Sequence, residues 1–172
     1  MDRYVLQVEQ GEALAVPYVR QISRAGCGLA ALASVMEYYN GPAFSQQALL
    51  DLYPAASPRG YSLGELRDIA QAHDFAGFVV PGNKQFLRDQ LGRSRPLIVP
   101  LQVQGAVPLI SRAGDTTYDH YVVVVGMNEE RRKIITLDPV RGPVELDFDD
   151  FAASWEKMNH AVLLVGLASG PD

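Results

Sequence analysis

The chain is poor in thiols: its 172 residues include one cysteine, Cys27. A single cysteine cannot close an internal disulfide. It also excludes zinc and iron–sulfur sites that draw several thiolates from one chain. Long apolar runs are missing too. The most apolar stretches, 121–125 and 161–167, fall far short of the ~20 residues a bilayer-spanning helix needs. Basic charge is not in excess. Fifteen Lys and Arg against 20 Asp and Glu leave a net charge of −5, which speaks against a nucleic-acid partner. The N-terminus lacks the charged-then-apolar pattern of a signal peptide. The chain as written is therefore expected in the cytoplasm, or exported if a signal has been removed. No repeat, low-complexity tract or linker divides it. What is present is ordinary for a globular protein, with 48% hydrophobic and 20% charged residues. One folded domain over residues 1–172, with its core at about 16–165, is the expectation.

The first half reads as mostly helical. Residues 16–21 look extended, because Pro17 keeps its predecessor out of the helical region. Gly26-Cys27-Gly28 then opens a helix that Gly41 and Pro42 stop. Between Leu29 and Tyr39 its only polar residues are Ser34 and Glu37, so it is expected to be buried on nearly all sides. Ser45 caps a short second helix through Leu52. Ser62 and Glu65 make a capping-box pattern ahead of Leu66, Ile69 and Ala70, and Asn83 caps a helix that Gly92 ends. The second half changes period. Residues 96–103, 120–127, 133–137 and 161–167 are Val-, Ile- and Leu-rich runs bounded by turn residues or charges, as strands are. Residues 149–155 form a short helix between the last two. Helices first and strands afterwards argue for an α+β fold.

Cys27 falls in the first turn of the buried helix, where free N–H groups and partial positive charge stabilise a thiolate. Gly28 beside it removes bulk near the sulfur. The competing reading is a small buried hydrophobe, the usual fate of a free cysteine. A nucleophile needs a base, and there are three histidines. His73 ends a helix and reads as structural; His160 lies in a turn and reads as a surface residue. His120 opens the strand 121–125, a place where catalytic groups are often found. Asp138 closes the following strand and would orient the imidazole. With a three-residue hairpin loop (129–131), Asn128 pairs with Arg132, Val122 falls opposite Asp138, and His120 is its diagonal neighbour on the same face. A four-residue loop would put His120 and Asp138 on opposite faces. For the oxyanion of an acyl transfer, the Cys27 N–H and the Gln21 side chain are candidate donors. No metal and no cofactor is expected, since the histidines are far apart and no metal-binding motif occurs.

Taken together, the order reads Gln-x5-Cys-Gly, then His, then Asp-Pro. This resembles the peptidase C39 family, papain-like cysteine peptidases known as the processing domains of bacteriocin-exporting ABC transporters, and their stand-alone C39-like relatives. The residues that carry it are Gln21, Cys27-Gly28, Ala30, Leu32 and Tyr39, then His120-Tyr121-Val122-Val123-Val124-Val125-Gly126, Asp138-Pro139 and Gly142, with Phe151 and Trp155 continuing the pattern. The resemblance implies a papain-like fold in which a Cys-bearing helix packs on a C-terminal antiparallel sheet. It implies Cys27 as nucleophile, His120 as general base and acid, Asp138 as the group orienting the imidazole and Gln21 in the oxyanion hole. Phe151 and Trp155 are weighted toward core packing. One departure is Gly26, where the family often has an acidic residue. Another is context: the chain as written is expected to carry neither the membrane segment nor the ATPase of the transporter members.

The leading expectation is a cysteine endopeptidase acting on a peptide or protein substrate. The resemblance adds a double-glycine leader as a substrate class and a transporter or secretion system as a partner. Two other readings are a catalytically silent peptide-binding module of the same fold and a papain-like acyltransferase or transglutaminase. The segment 104–119, rich in Gly, Pro, Ser and Thr, reads as a long loop flanking the cleft.

Overall fold

The computed structural model describes residues 2–40, 45–104 and 117–168. Six helices and six strands occur among them: α1 (Asp2–Glu9), α2 (Cys27–Asn40), α3 (Gln46–Leu52), α4 (Leu63–Ala72), β1 (Phe75–Pro81), α5 (Lys84–Gly92), β2 (Leu97–Gln104), β3 (Thr117–Asn128), β4 (Lys133–Asp138), β5 (Gly142–Asp147), α6 (Phe148–Glu156) and β6 (Ala161–Leu167). The strands form one sheet in the order β1-β6-β2-β3-β4-β5, antiparallel throughout. Alternation along the strands gives it two apolar faces. Val123, Val125, Ile135, Leu137, Leu163 and Val165 pack with residues of α2, α3 and α4. Leu97, Val99, Val122, Val124, Ile134 and Val162 pack with Leu87 of α5 and with Phe151 and Trp155 of α6. Phe151 and Trp155 are core residues, as expected.

The cap signals work as read. Ser45, Ser62 and Asn83 each accept from the first turn of α3, α4 and α5, and Ser62 and Glu65 complete a capping box. α2 is buried from Gly28 to Met36, as its lack of a polar face requires. Its buried serine hydroxyl, Ser34 Oγ, accepts the Val19 N–H at 3.1 Å.

The α+β class holds, but helices and strands are less segregated than the pattern suggested. β1 lies in the first half and pairs along its whole length with β6, the last strand. Gly77 and Pro81 broke its apolar alternation in the sequence. Pro81 is tolerated because β1 is an edge, and so is Pro143 in β5 at the other edge. Pro100 lies in β2, an interior strand. β6 pairs with β2 only at Leu97 and Ile98, so the missing N–H breaks no ladder on that side. Beyond Pro100, the Gln102 carbonyl accepts from Ser154 Oγ of α6 at 2.5 Å.

The hairpin of β3 and β4 departs from the expected register in an informative way. Its loop has four residues: Asn128 pairs with Lys133, not Arg132. Continued regularly, that pairing would separate His120 from Asp138. A β-bulge intervenes. Gly126 pairs with Ile135 but Val124 pairs with Thr136, leaving Val125 as the extra residue. From there the ladder runs Val123 to Leu137, which sets Val122 opposite Asp138 after all. The loop was misread, and the bulge restores the face. The strands also extend further than expected, with Gln104 paired to Thr117. The ends of the supposed 104–119 loop are therefore strand, and its middle, 105–116, lies outside the described residues.

Candidate active site

Cys27 is the first residue of α2, and the helix begins without a capping side chain, because Gly26 precedes it. The glycine has a local reason. A Cβ there would come within 2.7 Å of Ser23 Oγ and 3.1 Å of the Ser23 carbonyl. Gly26 is thus a fit to this turn. It leaves the first-turn N–H groups of α2 without a side chain accepting from the cap position. Gly28 serves a different purpose from the one expected of it. Its missing Cβ faces Leu66 and Tyr121, at 3.0 and 3.3 Å, so it lets α2 lie close to α4 and β3 rather than clearing space around the sulfur.

His120 and Asp138 are buried polar residues on one face of the β3–β4 hairpin, and His120 Nε2 lies 3.0 Å from Asp138 Oδ1. The same imidazole also interacts with Cys27, whose side chain is among the groups that raise its pKa. With Nε2 committed to the carboxylate, Nδ1 is the nitrogen left for sulfur. Cys27, His120 and Asp138 are therefore brought together in one chain of contacts. Asp138 is held in place by its own turn: Oδ1 accepts from the Val140 N–H at 2.8 Å and the Arg141 N–H at 3.1 Å, and Oδ2 accepts from Arg141 Nε at 3.2 Å. Tyr18 donates its hydroxyl to the Asp138 carbonyl at 2.9 Å.

The electrostatics follow from this wiring. Burial by itself would push the His120 imidazolium toward losing its proton. The hydrogen bond and charge of Asp138, with the Cys27 side chain, outweigh burial and raise the group to about 9. Burial by itself would raise the Asp138 carboxyl. The hydrogen bond and charge of His120, with the Val140 and Arg141 N–H groups, hold it well below the usual carboxylate range. At neutral pH the pair is an imidazolium beside a carboxylate.

Gln21 is placed differently. Its Nε2 donates to the Ser23 carbonyl at 2.9 Å, within the turn that leads to Cys27. Its Oε1 is buried without a hydrogen-bond partner among the described residues. The backbone around it is anchored, since the Gln21 N–H donates to the Pro139 carbonyl at 2.9 Å, directly after Asp138. Gln21 bonds to none of the three others, but its strand of chain joins the end of β4 to the head of α2. Of the remaining histidines, His73 caps the end of α4 and meets the Tyr53 hydroxyl at 3.1 Å, a structural role as expected. His160 is not a plain surface residue: its ring stands edge-on to Trp155, centroids 5.0 Å apart. Sequence reasoning missed Tyr18, Ser34 and Arg141. Only Arg141 carried a signal, its place three residues after the aspartate.

This arrangement can be compared with known proteins. The model of the Peptidase_C39 like family matches residues 13–163. The chain belongs to that family. No curated protein matches it significantly. Among solved structures, the peptidase domain of Streptococcus ComA, a bi-functional ABC transporter involved in quorum sensing, is similar at TM-score 0.66 and 22% identity, over 91% of this chain and 98% of that one. A C39-like peptidase from Bacillus anthracis is similar at TM-score 0.69 and 15% identity, over 89% and 96%. A double glycine motif protease from an AMS/PCAT transporter, solved in complex with the leader peptide, is similar at TM-score 0.65 and 16% identity, over 90% and 94%. The fold is thus that of the C39 papain-like peptidases. Among the described residues no helix is long and apolar enough to cross a membrane.

Proposed function

We propose that the chain is a cysteine endopeptidase and that residues 1–172 form one peptidase unit. The observation that carries this reading is the single buried imidazole held by Asp138 and interacting with Cys27 at the head of α2. The Cys27 sulfur attacks a peptide carbonyl carbon. The carbonyl electrons move to oxygen, which the Cys27 N–H and one N–H of the Gln21 carboxamide receive; the other N–H of that amide stays on the Ser23 carbonyl. The tetrahedral adduct collapses to a thioester as the His120 imidazolium gives its proton to the leaving amine. The imidazole, now neutral, takes a proton from water, whose oxygen attacks the thioester and frees the acid and Cys27. Asp138 touches neither substrate nor sulfur; it fixes the ring and favours its protonated form.

The substrate is a peptide, and the transporter neighbours make a double-glycine leader the first class to test, with an exporter as partner. The experiment is cleavage of leader-type peptides by the wild type and by Cys27→Ala, read by mass spectrometry. Cleavage after a defined residue by the wild type alone, with intact peptide retained by Cys27→Ala, is expected. Equal binding with cleavage by neither form would instead mean a peptide-binding module. A product joined to an added amine in place of the free acid would mean an acyltransferase.

A further inference from the structure

The backbone that carries Gln21 has neither helix nor strand from residue 14 to residue 26. An oxyanion donor on such a segment is placed only as well as that backbone is held, and a misplacement of about 1 Å is costly. Gln46, the first residue of α3, is buried, and its carboxamide spans this segment. Its Nε2 donates to the Arg20 carbonyl at 2.6 Å, and its Oε1 accepts the Ile22 N–H at 3.1 Å. These are the two residues that flank Gln21. With the Gln21 N–H on Pro139, three consecutive residues are tied down. The same Oε1 lies 3.4 Å from where a Cβ at Gly26 would stand, so Gln46 also abuts the turn that enters α2. Bridging one carbonyl and one N–H takes a side chain with one donor and one acceptor at this reach. Glutamine supplies both without charge.

We propose that Gln46 is a positioning residue for the oxyanion hole, acting through Gln21 and touching neither substrate nor Cys27 sulfur. This rests on the peptidase reading. Two reactions of Cys27 separate the role from general disruption. Iodoacetamide alkylation forms a carbon–sulfur bond as iodide leaves and creates no oxyanion. A peptide aldehyde forms a carbon–sulfur bond while its carbonyl electrons go to oxygen, which takes up a proton, so its affinity depends on the oxyanion donors.

For Gln46→Leu, alkylation is expected within about twofold of wild type. The aldehyde dissociation constant and kcat should each worsen by about tenfold or more, against the ~10²–10³ of a wholly removed donor, with KM little changed. In a Gln21→Ala background, Gln46→Leu should add almost nothing, because the two act as a unit. Gln46→Glu keeps the shape if the leucine variant fails to fold. It should behave like Gln46→Leu near neutral pH. Relative to wild type at each pH, it should recover as the medium falls to about pH 5, where a buried carboxyl is protonated and again donates to the Arg20 carbonyl. Aldehyde affinity within twofold of wild type in both variants overturns the inference, as does an equal loss in alkylation and aldehyde binding. A wild type whose Cys27 takes up no aldehyde and cuts no peptide overturns the peptidase reading and the inference with it.

Discussion

His120 and Asp138 depend on one another, and their pH behaviour follows from that. His120 is raised from its ordinary value of 6.5 to about 9, so it adds stability that is full below 6.5 and lost as pH rises through about 9. Asp138 is lowered from 3.8, so its contribution is present above that value and lost as pH falls toward its low folded value. The wild type should therefore lose thermal stability between about pH 6.5 and 9, and His120→Gln should flatten that decline; a parallel decline in both would contradict the assignment. Asp138→Asn removes the carboxylate charge that helps raise the imidazole. The alkaline limb of kcat/KM should move down from about 9, and kcat should fall by about 10²–10⁴. An unmoved limb in the pH profile would count against the triad. The three candidate residues stood out in the sequence because a nucleophile, a base and an orienting acid have characteristic types and order. Gln46, Ser34 and Tyr18 did not. Each bonds to backbone far away in sequence, and backbone partners leave no trace in side-chain pattern.

At the scale of elements, caps and apolar stretches were readable, and irregularities were not. Ser45, Ser62 and Asn83 announce their helices because a cap is a local hydrogen bond. β1 was hidden by Gly77 and β5 by Pro143, and α1 is too short and mixed to stand out. The bulge at Val125 was invisible, yet it decides which face His120 shares. It is also where the N-terminal segment docks. The Leu14 N–H donates to the Val125 carbonyl at 2.8 Å, and Ala13 bridges to Gly126. A Cβ at Gly126 would fall 2.2 Å from the Glu12 carbonyl oxygen and 2.9 Å from Ala13 Cα. Both are backbone atoms with little room to yield. Gly126→Ala should thus lift the segment from β3 and cost about 1–3 kcal/mol in denaturant unfolding. A midpoint unchanged from wild type would show that the crossing has slack.

The described residues form a sheet between two helical layers, with the candidate site where the cysteine helix meets the end of the β3–β4 hairpin. The far end of that hairpin carries the four-residue tip, whose Glu129 bonds Arg88 and whose Arg131 bonds Glu145 across the exposed surface. Such exposed pairs contribute at most about 1 kcal/mol each. A short Gly/Ser insertion between Glu130 and Arg131 should leave kcat/KM within about twofold and lower the melting point by a few degrees at most. A large loss of activity, with the fold retained, would show that the two ends of the hairpin communicate. The expectation of silence comes from Val125. Pairing at the tip and pairing at the site differ by one residue, so each keeps its own register. The bulge works as a slip joint: the tip is free to vary in length, or to carry a grafted sequence, without transmitting the change to the histidine.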